Sequence, residues 1–212
     1  MRARFTRDEI ASAALGIVDE SGLSALSMRS LATALGTGPM TMYNYVADKA
    51  GLEELVVAAV VADVDVPAPT SNWQHDVHAI ATVMWWGVRA HPAAIPLVLT
   101  RRMSSPTGFA IADGLIGALG RAGLADSDRL SAFHAVLGFV VGAAQAELAG
   151  PLTRERSDDA RQAAARIGAV AGERFPHIEA LSKIAMQTSV EDDFDGGLRM
   201  LLDGIALRAH PR

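Results

Sequence analysis

The chain has no cysteine among its 212 residues. Disulfides, thiolate nucleophiles and Cys-ligated zinc or iron–sulfur centres are therefore excluded. Long hydrophobic runs are missing too. The longest uninterrupted stretch of apolar residues and glycine, 135–144, has 10 residues, where a bilayer-spanning helix needs about 20. No apolar segment of signal-peptide length follows the early arginines Arg2, Arg4 and Arg7, so a cytoplasmic protein with no membrane partner is expected. There is no β-strand candidate, internal repeat or low-complexity tract. Also absent are a nucleophile elbow, a phosphate-binding glycine loop after a strand, and paired carboxylates in a catalytic setting, so no catalytic residue is assigned and no enzyme is expected.

An excess of positive charge, the usual mark of a nucleic-acid binder, is lacking as well: the net charge is −5. The balance is uneven along the chain. Residues 1–50 carry five basic groups (Arg2, Arg4, Arg7, Arg29, Lys49) and five acidic ones, and the remaining 162 residues carry the whole −5. Most of the early basic groups lie in the N-terminal arm or at helix starts, where a phosphate backbone can meet them. The acidic remainder would sit away from nucleic acid.

What is present is helical patterning with clear punctuation. Thr6 with Glu9 forms a capping box, followed by Ile10, Ala13, Ala14, Ile17 and Val18 on one face, with Gly22 as the stop. Ser27 caps a short helix over 27–35 whose buried set is Met28, Leu31, Ala32 and Leu35. Gly36 and Gly38 break it, and a second short helix is predicted over 39–45, with Pro39 in its first turn. Asp48 caps a helix over 49–64 that Pro67 and Pro69 stop. Ser71 with Gln74 reads as another capping box, opening a helix to Ala90. Further helices are predicted over 93–103, 105–121 (apolar set Phe109, Ala112, Ile116, Leu119), 126–149, 159–172, from Pro176, and 191–209. Residues 153–160 read as a polar loop. The 126–149 helix is apolar on nearly every face between Phe133 and Ala144, which predicts burial all round, part of it by a partner subunit.

Two short helices around a glycine turn are a helix-turn-helix signal, and such a motif reads DNA by laying its second helix in the major groove. Thr37, Thr41, Asn44 and Tyr45 are the polar groups around that helix. Asn44 suits the edge of adenine, Thr41 a base or phosphate, and Met40 a thymine methyl. Arg29 can reach a guanine or a phosphate. Tyr43 and Lys49 suit backbone clamping, which positions without specifying. Arg4 and its neighbours in the arm add phosphate or minor-groove contacts.

These residues also carry a family resemblance. The stretch 6–56 matches a pattern of an apolar residue, arginine, Leu-Ala, Leu-Gly, then Thr-apolar-Tyr-x-aromatic-apolar and Lys-x-x-Leu. Here these are Met28, Arg29, Leu31, Ala32, Leu35, Gly36, Thr41, Met42, Tyr43, Tyr45, Val46, Lys49 and Leu52. It resembles the N-terminal domain of the TetR family of one-component transcriptional regulators. The resemblance implies a homodimer on a palindromic operator, with Arg29, Pro39, Thr41, Tyr43, Tyr45 and Lys49 at the DNA surface. Asn44 and Tyr45 replace the Trp and His of the tetracycline repressor type, which implies a different operator sequence. His91-Pro92, Gly142 and the Phe194, Gly197, Leu198, Leu201, Leu202, Gly204 series resemble the tetracycline-repressor-like C-terminal domain. That likeness implies a four-helix bundle with the partner, built from 126–149 and 191–209, and an effector pocket enclosed by the helices from 49–64 to 126–149. Thr100-Arg101 resembles a Thr-Arg pair near that pocket. No equivalent of the metal-holding histidine is found, so neither metal nor cofactor is expected.

Effector candidates rest otherwise on composition. Met84, Trp85, Trp86, Phe109, Phe133, His134 and Gln145, with Arg101, offer flat apolar surface and a few polar handles; each serves equally as core packing. His75 and His78 share a helix face three residues apart, but first-turn residues are commonly solvated and no metal is assigned to them. The expectation is an all-α protein of about nine or ten helices. A three-helix helix-turn-helix domain over 1–48 precedes a helical effector-binding and dimerisation domain over 49–212, joined by the helix 49–64. Its expected function is that of a repressor released from double-stranded operator DNA by a small molecule. The rivals are an all-α enzyme and a helical protein-interaction dimer that does not bind DNA.

Overall fold

A computed structural model describes residues 4–101, 105–149, 168, 170, 174–185 and 187–209. The expected loop at 153–160 and most of the helix expected over 159–172 lie outside them. Among the described residues there are ten α-helices and no strand: α1 (Arg7–Ser21), α2 (Met28–Ala34), α3 (Pro39–Met42), α4 (Lys49–Val60), α5 (Trp73–Ala90), α6 (Ile95–Thr100), α7 (Pro106–Arg121), α8 (Asp126–Ala149), α9 (Pro176–Ala185) and α10 (Val190–Ala209). The first three form a small bundle around Ile10, Ala14, Val18, Leu31, Ala32 and Met42, and a larger helical body follows.

The caps explain the N-terminal boundaries. Thr6 accepts from the Glu9 backbone N–H while Glu9 accepts from that of Thr6. Ser27 and Ser30 make the same reciprocal pair at α2. Asp48 accepts from Gly51 at α4. At α5 the cap is Asn72, whose side chain accepts from His75, and not the expected Ser71. Both residues are competent, and the chain entering from Thr70 puts the amide in position. Helix α3 is shorter than expected: after Met42 the chain closes through bonds from Asn44 to Thr41 and from Tyr45 to Met42. Likewise α4 stops at Val60.

The α7 face is rotated from the expected one. Ile111, Leu115, Ala118 and Leu119 are buried, whereas Phe109 and Ile116 are exposed. Helix α8 is not buried all round within the chain. Ala132, Val136, Val140, Val141 and Ala144 face the body, and Leu130, Ala135, Gly138 and Gly142 do not. By length and composition alone its segment Asp126–Glu147, of mean hydropathy 1.3, is long and apolar enough to cross a bilayer. The apolar-run count did not show this, because isolated polar residues interrupt the run without lowering the mean much.

Two features lock the body. Trp85 of α5 is buried and stacks on Phe194 of α10, with ring centroids 4.3 Å apart and planes 10° from parallel. Phe139 of α8 leans on the same Phe194 at 5.4 Å. The second is Asp76, buried in the first turn of α5. It accepts from the Thr70 backbone N–H and hydroxyl and from Arg121 at the end of α7. Burial opposes its ionisation, but the Thr70 bonds and the Arg121 charge outweigh it, and its pKa lies below the ordinary aspartate value. A lowered folded pKa gives stability that is complete above the unfolded value of about 4 and is lost as pH falls through the folded value. Asp76→Asn is expected to cost about 2 kcal/mol at neutral pH. In urea titrations across pH, the gap to the wild type should begin to narrow below about pH 4 and close as pH falls through the lower folded value.

Candidate nucleic-acid interface

The turn between α2 and α3 is built by Gly36. Its φ of +62° lets the Gly36 N–H reach the Thr33 carbonyl and the Thr37 N–H reach the Ala32 carbonyl, a Schellman closure that turns the chain sharply. Pro39 then starts α3 without forfeiting an internal bond. Met42 is buried beneath, so the opposite side of the short helix is the outer one.

That outer surface carries Pro39, Met40, Tyr43 and Asn44, all exposed; Met40 is 78% exposed. Thr37 and Thr41 are half-buried at its edge. Arg29 on α2, Tyr43 just after α3 and Lys49 on α4 line one concavity of about 580 Å³, together with Ser24, Ser27 and the Asp48 carboxylate that caps α4. Two cations and a phenol thus share this concavity with one carboxylate. Nothing in the sequence distinguishes Ser24 from an ordinary loop serine, and only the fold brings it to this concavity.

Tyr45 is placed differently. It is half-buried, and its hydroxyl accepts from the backbone N–H groups of Arg4 at 2.9 Å and Phe5 at 3.3 Å. Its ring meets Phe5 edge-on at 6.1 Å. Arg4 in turn donates to the Gly36 carbonyl at 3.3 Å. Tyr45 therefore holds the N-terminal arm beside the turn, which puts Arg4 next to the outer surface.

Among the described residues, one polar contact ties α1 to the chain after α5 and another ties α4, which follows the first three helices, to α6. Asp19 of α1 meets His91 at 2.7 Å. Glu53, buried on α4, forms an ion pair with Arg101 at the end of α6. Arg101, expected as an effector ligand, is engaged there instead. Glu53 was missed, although a carboxylate within the apolar stripe of Leu52 and Val56 is a signal for a buried partner.

The other effector candidates do not form one lining. Met84 and Trp85 are core residues, each 1% exposed. Trp86, Phe109 and His134 are exposed; Phe133 and Gln145 are half-buried. Phe133 and Gln145 are separated by roughly 18 Å along α8, too far to share a small cavity wall. Of the histidine pair, His78 is taken by Asp195 at 2.5 Å and His75 is exposed.

A short helix held outward after a glycine turn, with Arg29 and Lys49 beside it and a larger helical body behind, is the arrangement of a helix-turn-helix DNA-binding regulator. Residues 66–209 match the family model described as Tetracyclin repressor-like, C-terminal domain. The chain is 30% identical over 209 residues to the HTH-type transcriptional repressor DrrR1 of Streptomyces coeruleorubidus, covering 95% of this chain and 77% of the relative. Its fold superposes on Streptomyces coelicolor ActR in complex with actinorhodin, with a TM-score of 0.78, 27% identity and 98% and 99% of the two chains covered. It also superposes on a possible TetR family regulator from Streptomyces coelicolor A3(2), with a TM-score of 0.78, 30% identity and 94% and 98% covered. The chain belongs to the TetR family of transcriptional regulators. Regulators of this family bind operator DNA and small-molecule ligands as dimers.

Proposed function

We propose that this protein is a homodimeric repressor released from a palindromic operator by a small-molecule effector. The observation that carries the reading is the outer surface of α3 and the turn after it: Met40, Tyr43 and Asn44 are exposed there, near Arg29 and Lys49. Met40 would touch a thymine methyl and Asn44 an adenine edge, with Thr41 and Thr37 at the rim and Pro39 fixing the approach. Arg29, Tyr43 and Lys49 would hold phosphates, and Arg4 would follow the adjoining backbone from its anchor on Tyr45 and Gly36. The reading head would comprise residues 1–48 and the sensing body 49–212, with α4 as the link.

The dimer would form through α8 and α10. Their outward sides leave a groove of about 370 Å³ lined by Leu124, Ala132, Ala135, Met200, Leu201 and Ile205, and Met200 and Leu207 are more than three-quarters exposed. A second copy would cover this surface as a four-helix bundle and fix the two heads about one DNA turn, or a multiple, apart. The apolar character of α8 has its use there. ActR, which shares this fold, forms a complex with actinorhodin, which supports an organic effector here. An effector that favours the DNA-incompetent spacing shifts the population, and operator DNA must weaken effector binding by the same factor. Near-complete switching needs about 5.5 kcal/mol of differential binding.

Selection of bound duplexes from a random pool tests the reading directly. A palindromic consensus is expected; no enriched duplex at low salt, with no effector present, overturns it. On that consensus, Lys49→Ala is expected to weaken affinity on all sequences and to lower the salt slope by about 1. Asn44→Ala is expected to relax preference at one position by about 1–3 kcal/mol. Equal loss on every sequence would remove Asn44 from direct readout.

A further inference from the structure

Tyr45 does not join Tyr43 and Asn44 on the outer surface. It is half-buried against the arm, with its ring edge-on to Phe5 and its hydroxyl accepting from the Arg4 and Phe5 backbone N–H groups. Two donors thus occupy the accepting side of one hydroxyl, and without that hydroxyl both amides are left to solvent. The arm so held carries Arg4, whose guanidinium is fixed at two points. It lies 5.2 Å above the Phe5 ring centroid and donates to the Gly36 carbonyl. That bond takes one of the five guanidinium N–H groups, and the residue is exposed, so donors remain for a ligand beside the turn.

Arg29 stands in the first turn of α2, and Gly36 lies just past its end. Arg29 and the Arg4 guanidinium therefore sit at opposite ends of α2, roughly 10 Å apart along its axis. Successive phosphates of one strand rise about 3.4 Å along the duplex, so cations with this separation fall on different phosphates. We infer that Arg4 makes a second hold on the DNA backbone, separate from that of Arg29 and Lys49. Tyr45 is its positioning residue, acting through Arg4 without touching DNA itself. The inference rests on the operator-binding reading above and refines it. It departs from the family likeness, which puts Tyr45 at the DNA surface in its own right. An arm already ordered in the free protein loses little conformational entropy on binding, so this hold depends on the anchor as much as on the charge.

The test uses the full-length protein and the selected operator duplex, with ethylation interference to map the phosphates each variant needs. The wild type is expected to need two separate phosphate clusters in each half-site. Arg4→Ala and Tyr45→Phe should lose the same cluster, and Lys49→Ala the other. Tyr45→Phe keeps the ring on Phe5 and removes only the hydroxyl; it should weaken binding about fivefold, the worth of one hydrogen bond. Arg4→Ala should weaken it at least as much and lower the salt slope by about 1 per head. The Arg4→Ala, Tyr45→Phe protein should bind no more weakly than Arg4→Ala, whereas the losses of Arg4→Ala and Lys49→Ala should multiply. Base preference should be unchanged in all of them, because backbone contacts position without specifying. Thermal melts report folding, and Phe5→Ala reaches the same anchor from its other side and should lose the same cluster as Arg4→Ala. Multiplying losses for Arg4→Ala with Tyr45→Phe, or a phosphate lost only with Tyr45, gives Tyr45 its own contact and overturns the inference. Weaker binding by Tyr45→Phe with an unchanged map and salt slope makes it a packing residue and overturns the inference too. Either result leaves the operator-binding reading standing, whereas a wild type that holds no duplex overturns both.

Discussion

Arg101→Ala is expected to destabilise the protein by about 3 kcal/mol, the low end for leaving one member of a buried ion pair without its partner. The low end applies because Arg101 itself is partly exposed, whereas Glu53 is not. The larger consequence is functional. Glu53 lies on α4, which carries the head, and Arg101 closes α6, which belongs to the body. A displacement of α6 must either drag α4 with it or strand a buried carboxylate. The cost of stranding is a large part of the roughly 5.5 kcal/mol that separates one-sided populations of two states. With Arg101 gone, head and body should move more independently, and affinity for the selected operator should fall even without effector. The double replacement Glu53→Leu with Arg101→Met separates the two effects. It removes both charges, so stability measured in urea should return to near the wild-type value, while operator affinity should stay low. Recovery of both together would make the pair a packing feature only.

The reading head was legible because its signals are local. A capping box, a glycine pair and a proline each act within four residues, and Thr6, Ser27, Gly36 and Pro39 take the roles expected of them. Helix faces in the body were harder. In α7 almost every position is apolar, so the row through Phe109 and Ile116 and the row through Ile111 and Leu115 fit a 3.6-residue period equally well. Only the neighbours α5 and α8 decide between them, a rotation of about 100°. Helix α8 posed the same problem, since an apolar surface awaiting a second copy has the composition of a core. The effector candidates were chosen by residue type, and type does not distinguish Trp85, stacked in the core, from Trp86, next in sequence and half outside. The polar groups that organise the neighbourhood, Arg89, Glu147 and Glu191, are 44 to 102 residues from one another and were invisible as a set. Tyr45 was recognised as part of the motif, but its bond to the arm depends on where Arg4 and Phe5 return in space.

Gly197→Val is expected to cost about 3 kcal/mol, the upper end for forcing volume into a packed site. Glycine within a helix normally weakens it, by about 1 kcal/mol relative to alanine, so a substitution in the middle of α10 would ordinarily help. Here a Cβ would lie 2.8 Å from two carbons of the Phe139 ring, closer than carbon atoms approach without repulsion. The ring has little freedom to retreat, because it leans on Phe194, which is stacked on the buried Trp85. The missing side chain therefore sets how closely α8 and α10 approach, and these are the helices proposed to form the dimer. Even Gly197→Ala should lower the melting temperature, reversing the sign that helix propensity alone demands. Adding Phe139→Leu opens the space, and the Gly197→Ala, Phe139→Leu protein should be more stable than Phe139→Leu alone as propensity reasserts itself. If Gly197→Ala raises the melting temperature in an otherwise unaltered protein, the Phe139 contact does not set the spacing of the two helices.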